Sequence, residues 1–325
     1  MIRADARGRR GAPAGLVDKA GRPPPVAKEL DSAGARELLG AMLDAAAPAH
    51  EIDALLRAFR LKGESVDELA GFVSAIDTRL ARFDAPLDRP RPVVLPSYAG
   101  VRRQANLTAL LALLLRRYGV PVLLHGTTDT DPHFGRVTTA AVLRELGVEP
   151  ASSLPQARQK LALEELAFVP IDVLAPAFAT LFKDRERAGG NGAALARLID
   201  PFQGAGFRVV GVSRGESLSR MRAFLRATHA DALLFRGVEG EPFADPRRQP
   251  RLEWFDHGVG SVLFDADASA GSPPMAPLGA SDAAATAAWT AAALAGESPI
   301  PQPILNQLAC CLHATRRVPE GRVSP

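Results

Sequence analysis

Between Val93 and Gly147 the chain reads VVLPSYAGVRRQANLTALLALLLRRYGVPVLLHGTTDTDPHFGRVTTAAVLRELG. Two short apolar strands each run into a polar, glycine-containing loop that feeds a helix. Such units aim backbone N–H groups and a helix start at one point, an arrangement suited to phosphate. Alternation continues downstream. Strands are expected at 93–95, 120–124, 167–170, 207–213, 232–235 and 261–264. Helices are expected at 106–118, 138–146, 155–163, 173–184, 193–199, 217–228, 281–295 and 303–315. The pattern specifies a mainly parallel sheet with helices on both faces. The polar segment 236–258 is long for a connection between strands and reads as a candidate binding loop.

Upstream lies a different composition. Residues 1–28 are rich in Gly, Pro, Ala and Arg and read as a disordered basic arm, either a second anchor for a polyanion or a solubilising tail. Residues 29–85 show three helical patterns: 32–47, the run HEIDALLRAFRLKG, and a third opening with Ser65 and Glu68, the two ends of a capping box. Short helices with short loops make a small bundle of the kind that pairs across a dimer axis. The segment PLDRPRP (86–92) marks a linker to an α/β domain over 93–325. The longest apolar tract, Leu107–Leu115, is too short to span a bilayer. Without an apolar leader pattern, and with only the adjacent Cys310 and Cys311, the reading is a cytoplasmic protein with neither disulfide framework nor zinc site.

The isoelectric point of about 9.1 misleads if taken for the whole chain. Residues 1–28 carry seven cations against Asp5 and Asp18, a net +5, while the full chain is +3. The remainder is therefore slightly acidic, and a polyanion site within it must be a local cluster. Such a cluster is at hand in Arg102, Arg103, Arg136, Arg236, Arg247, Arg248 and Arg251, all placed by the pattern near the carboxyl ends of strands. Arginine suits phosphate because its fork binds two oxygens at once and stays charged. Only two Trp and two Tyr occur, so base stacking is expected to be secondary, with Tyr98 the exception. His125 ends a strand and either contacts phosphate or caps its loop internally. KDRER (183–187) reads as a solvated helix end and GGNG (189–192) as a turn.

The order of parts resembles anthranilate phosphoribosyltransferase, of the type IV phosphoribosyltransferase and class II nucleoside phosphorylase fold. LLRAFRLKGESVDELAGFVSAI is similar to that family's opening helices, and HGTTDTDPHFGRVTTAAVLRELGV to its second phosphate loop and following helix. ALLFRGVEGE sits where the family has a strand and a metal-binding loop. The resemblance implies an α/β fold with a small all-α domain. It also implies former phosphate loops at Ser97, Asn106, His125, Gly126 and Thr127, and an ancestral carboxylate-binding Arg with Arg185 or Arg187 as its remnant.

The departures point away from catalysis. Where the family has Gly-Thr-Gly-Gly-Asp, this chain has Pro96, Ser97, Tyr98, Ala99 and Gly100, so proline and tyrosine replace glycines and the aspartate is missing. The metal-binding Asp-Glu pair falls at Pro242 and Phe243, with Glu239 and Glu241 close by as a shifted set. This altered pattern resembles the YbiB subgroup, homologues without the enzyme's activity that bind nucleic acids as homodimers. The expectation is a non-catalytic homodimer that binds single- or double-stranded DNA or RNA without regard to sequence. It would need neither cofactor nor metal and have no membrane partner, its contacts being the seven arginines and Tyr98. The alternative is a phosphoribosyltransferase with a rebuilt donor loop, using Ser97, Asn106, His125 and Glu239 or Glu241.

Overall fold

The computed structural model describes residues 29–45, 48–86, 88–102, 104–128, 135–182, 192–213, 217–267 and 282–315. The arm at 1–28, Arg103, Arg185, Arg187 and residues 189–191 of GGNG lie outside them. The strands are β1 Val93–Ser97, β2 Val101–Arg102, β3 Val122–Gly126, β4 Arg136–Val137, β5 Leu166–Pro170, β6 Phe207–Val212, β7 Ala232–Arg236, β8 Leu252–Asp256 and β9 Val259–Phe264. The helices run α1 Ser32–Leu43, α2 Ala49–Lys62, α3 Val66–Asp77, α4 Thr108–Arg117, α5 Thr139–Glu145 and α6 Leu154–Glu164. They continue with α7 Ile171–Leu174, α8 Pro176–Phe182, α9 Gly192–Ala196, α10 Leu218–Ala227, α11 Ala283–Ala295 and α12 Gln302–Thr315.

Two compact units form. The helical unit combines the chain up to Ala81 with Ala175–Ile199, so it is discontinuous and not the single segment 29–85. The single helix expected at 173–184 is interrupted, because Pro176 cannot continue α7 and instead starts α8. Asp31 caps α1 by accepting from the Gly34 amide, and Ser65 with Glu68 forms the anticipated capping box on α3. Gly71 lets α3 approach α1 closely: a Cβ there would lie 2.3 Å from the Ser32 carbonyl oxygen. Glu68 is a fully buried carboxylate that accepts from the Leu30 and Ser65 amides and from Lys62 Nζ at 2.6 Å. Burial alone would raise its pKa, but those three donors together hold it below the usual carboxylate value.

The second unit carries a seven-stranded sheet in the order β5-β3-β1-β6-β7-β8-β9. The first five strands are parallel, and β8 and β9 add an antiparallel edge. Strands β1, β3, β5 and β6 are buried throughout, as a sheet covered on both faces requires. The strand β8 lies inside the supposed loop 236–258, which shortens that connection to 237–251. His257 and Gly258, both at positive φ, form the two-residue turn into β9. Chain order reverses at β1, which has β3 on one side and β6 on the other. This is the switch point outside which open α/β sheets place their ligand crevice. The pairing of β1 with β6 covers only Val93↔Phe207 and Val94↔Arg208, so Pro96 sits beyond it without costing that ladder a donor.

Candidate functional site

At the carboxyl end of β1 the chain turns through Ser97–Gly100, with Gly100 at φ 61°. The amides of Ala99 and Gly100 converge on one oxygen, Glu241 Oε1, at 2.8 Å each. The Ser97 hydroxyl donates to Oε2 of the same carboxylate. Thr139 Oγ1 lies 3.5 Å from Oε2, 2.7 Å from Ser97 Oγ and 3.3 Å from Asn106 Oδ1. Glu241, Ser97, Thr139 and Asn106 are all buried. A side chain of the protein itself thus occupies the amides of this turn.

Close backbone approach makes this contact possible. Val238–Gly240 is a single 3₁₀ turn after β7, and Glu239 within it adopts φ 52°, ψ 21°. A glutamate in the left-handed region costs about 1–2 kcal/mol, so the surroundings must enforce it. A Cβ on Gly237 would lie 2.1 Å from the Glu241 carbonyl oxygen, and one on Gly211 of β6 would lie 2.3 Å from it. Both glycines thus allow 237–241 to lie against the sheet. Glu239 then reaches the same loop: its carboxylate accepts from the Arg102 amide at 2.7 Å and pairs with Arg136 at 2.9 Å. Arg136 also donates to the carbonyls of Ala99 and Gly100, both at 2.9 Å. The short strands β2 and β4 place Arg102 directly opposite Arg136, and the Glu239 carboxylate offsets their repulsion.

The loop after β3 is zipped to the loop after β1. The Thr127 amide donates to the Ser97 carbonyl at 3.3 Å, and Thr127 Oγ1 lies 3.4 Å from the Tyr98 carbonyl oxygen. A Cβ on Gly126 would overlap the Ser97 carbonyl oxygen at 1.7 Å, so only glycine fits. His125 is fully buried with Nδ1 2.6 Å from the Tyr98 hydroxyl, and burial pushes its pKa down to about 3. Burial disfavours the charged ring, and the contact at Nδ1 ties it to the neighbouring loop. Tyr98, half-buried, meets His125 through the same bond and through an edge-on ring contact. Asn106 donates to the Val137 carbonyl and accepts from the Thr108 amide, so it organises the start of α4.

The described arginines of the basic set have partners of their own. Arg236 donates to the Ser213 carbonyl. Arg247 is exposed and forms two hydrogen bonds with Asp245, which raise its pKa. Arg248 reaches the Asp267 carbonyl, and Arg251 pairs with Asp265 at 3.2 Å and Glu253 at 3.5 Å. Among the described arginines, Arg102 and Arg136 meet Glu239, Arg247 meets Asp245, and Arg251 meets Glu253 and Asp265. Arg136 in particular is a staple of the loop. Arg102, Arg247, Arg248 and Arg251 remain exposed at the surface.

The residues present do not suit a Mg²⁺-held diphosphate. At the positions of the metal-binding pair, Pro242 and Phe243 are buried and offer no carboxylate. Both nearby carboxylates already accept from loop donors. At the opposite edge of the sheet Asp231, Asp256 and His257 lie within ligand distance of one another. Asp231, however, is committed to Arg91 and to the His257 amide, at 2.6 Å each. The sequence alone presents Glu241 as a displaced metal ligand, and its true role is not legible there. The signal available is its position beside Gly240 and close to Gly237, directly after a strand.

Similarity to known proteins agrees with this architecture. Residues 18–79 match the glycosyl transferase family helical bundle domain. Over 303 residues the chain is 37% identical to the uncharacterized protein YbiB of Escherichia coli, spanning 92% of this chain and 93% of that protein. It is 32% identical over 142 residues to anthranilate phosphoribosyltransferase of Geobacillus stearothermophilus, 43% of this chain and 40% of the relative. Among solved structures, anthranilate phosphoribosyltransferase from Thermus thermophilus superposes with a TM-score of 0.68 at 23% identity, covering 89% of this chain and 85% of its own. The Saccharomyces cerevisiae enzyme, solved with PRPP and Mg, gives 0.62 at 14% identity, covering 88% of each chain.

Proposed function

Because this chain belongs to the YbiB-like family of anthranilate phosphoribosyltransferase homologues, we propose that it is a non-catalytic, homodimeric protein that binds nucleic acid without regard to sequence. The observation that carries the reading is the Glu241 carboxylate on the Ala99 and Gly100 amides. A ribosyl donor would need those amides for its diphosphate, and a buried carboxylate in the same place excludes it by charge and volume. The fold is retained while the donor loop is closed to the donor.

What remains exposed at that edge is a set of arginines: Arg102, Arg247, Arg248 and Arg251. Arg247 meets Asp245, Arg248 the Asp267 carbonyl and Arg251 the exposed Asp265, and exposed ion pairs contribute only about 0–1 kcal/mol each. A polymer of phosphates can displace them at little cost and gains counterion release in return. Phosphate contacts position a protein on nucleic acid without reading bases, and the inward-facing Tyr98 supports weak sequence preference. The net +5 of residues 1–28 adds a second cationic element. Pairing of two copies through the helical unit would present two such edges and raise avidity through effective concentration.

The test is retardation of labelled single- and double-stranded DNA and of RNA by the full chain, at a series of salt concentrations. Binding at low salt that falls steeply with added salt and varies little with sequence is expected, alongside a dimer in sedimentation. Absence of retardation of all three polymers at low salt would refute the proposal.

A further inference from the structure

We infer that Glu241 is a built-in surrogate for an oxyanion ligand. It keeps an anion site, formed by the Ala99 and Gly100 amides with the Ser97 hydroxyl, permanently closed to phosphate-class molecules. The inference shares one contact with the nucleic-acid reading but does not depend on it, since it concerns the buried side of the loop and not the exposed arginines.

The geometry is that of a bound anion. Two backbone N–H groups meet one carboxylate oxygen at 2.8 Å each, and a hydroxyl meets the other. Charge-assisted hydrogen bonds of this kind are the strong ones, and here those from Gly100 and Ser97 are buried. The donors do not come from the neighbourhood of Glu241 in sequence: they are 141 and 142 residues away, so the site exists as part of the β1 loop. The loop is also held by independent means. Arg136 grips the Ala99 and Gly100 carbonyls from the opposite side, and Glu239 holds the Arg102 amide. Removing the Glu241 side chain would therefore leave the donors oriented, pointing into the volume the carboxylate vacates. A tetrahedral phosphate or a small carboxylate carries the oxygens and the charge needed to occupy it.

The test uses Glu241→Ala in the full chain, compared with wild type by thermal denaturation at matched ionic strength. Inorganic phosphate, pyrophosphate, formate and chloride are the added anions. The variant is expected to melt lower than wild type and to be restored, saturably and at millimolar concentration, by phosphate or formate but not by chloride. Wild type should gain nothing beyond the chloride effect. A variant that responds to phosphate and formate no more than wild type does would overturn the inference. Hydrogen exchange on wild type provides the arm that needs no variant. Exchange in the peptide spanning Ser97–Arg102 should be unchanged by millimolar pyrophosphate, and slowing of it would equally overturn the inference. Retardation of DNA measured on the same variant separates the two readings: retention with anion rescue supports both, and loss of retardation alone counts against only the nucleic-acid reading.

Discussion

Replacing Gly211 by alanine puts a methyl group where the chain has no room for it. The new Cβ would lie 2.3 Å from the Glu241 carbonyl oxygen, 2.9 Å from its carbonyl carbon and 3.2 Å from the Gly240 carbonyl oxygen. All three neighbours are backbone, so no rotamer change relieves the clash. The segment 240–241 must retreat by an appreciable fraction of an ångström. Its carboxylate is then drawn from amides that it now meets at 2.8 Å. Overpacking alone costs about 1–3 kcal/mol, and a weakened bond to a charged acceptor about 1.5–3 kcal/mol. Against this stands about 0.4–1 kcal/mol gained by restricting the unfolded chain. A net loss of about 1.5–5.5 kcal/mol follows from these terms. Urea denaturation followed by circular dichroism measures it. Gly40→Ala is the internal comparison, because its Cβ would meet only the flexible guanidinium of Arg79, at 3.3 Å, and alanine favours a helix interior. If Gly211→Ala unfolded at the same urea concentration as wild type, the packing of 237–241 against β6 would be wrong.

Other perturbations probe separate parts of the account. The unfolded His125 ring titrates near 6.5 while the folded one is held to about 3, so the unfolded chain alone binds a proton between those values. Stability should fall as pH drops below 6.5, by about 1.4 kcal/mol per unit from this group, and His125→Gln should flatten that slope. Glu68 has a folded pKa below its ordinary 4.5, so its contribution holds above that value and disappears as pH falls through the folded one. Glu68→Gln should weaken the acid dependence of the helical unit, read by near-ultraviolet circular dichroism. Arg136→Ala removes two bonds to loop carbonyls and should cost about 1–2 kcal/mol while speeding hydrogen exchange at residues 97–102. Arg102→Ala should leave folding intact and lower the salt slope of DNA binding by about 0.7–0.9, the value for one phosphate left without its cation.

Periodicity made the sheet and most helices legible, because buried strands and amphipathic helices write their burial into the residue pattern. The strand β8 escaped because its sequence LEWFD carries Glu253 and Asp256 and follows the polar run RRQPR. Only the fold shows that Arg222 neutralises Glu253, at 2.5 and 2.7 Å. The turn His257–Gly258 was the missed local signal for that hairpin. Helices α8 and α9 joined the helical unit because membership of a unit is decided by long-range packing, which linear order does not record. At the site, the loop positions at the carboxyl ends of β1 and β3 could be read from spacing. Their partners could not, since Asp245, Asp265 and Asp267 are visible as acids but not as neighbours. Glu241 was the largest gap. A carboxylate beside a vanished metal motif suggests a metal ligand, and nothing in linear order indicates that amides more than 140 residues away receive it.

The central claim is that a donor loop built for a diphosphate is now closed by the protein's own carboxylate. Calorimetric titration of the full chain with phosphoribosyl pyrophosphate in the presence of Mg²⁺ addresses it most directly. The account predicts no saturable heat in wild type. Micromolar, Mg²⁺-dependent binding would contradict it and restore the phosphoribosyltransferase reading.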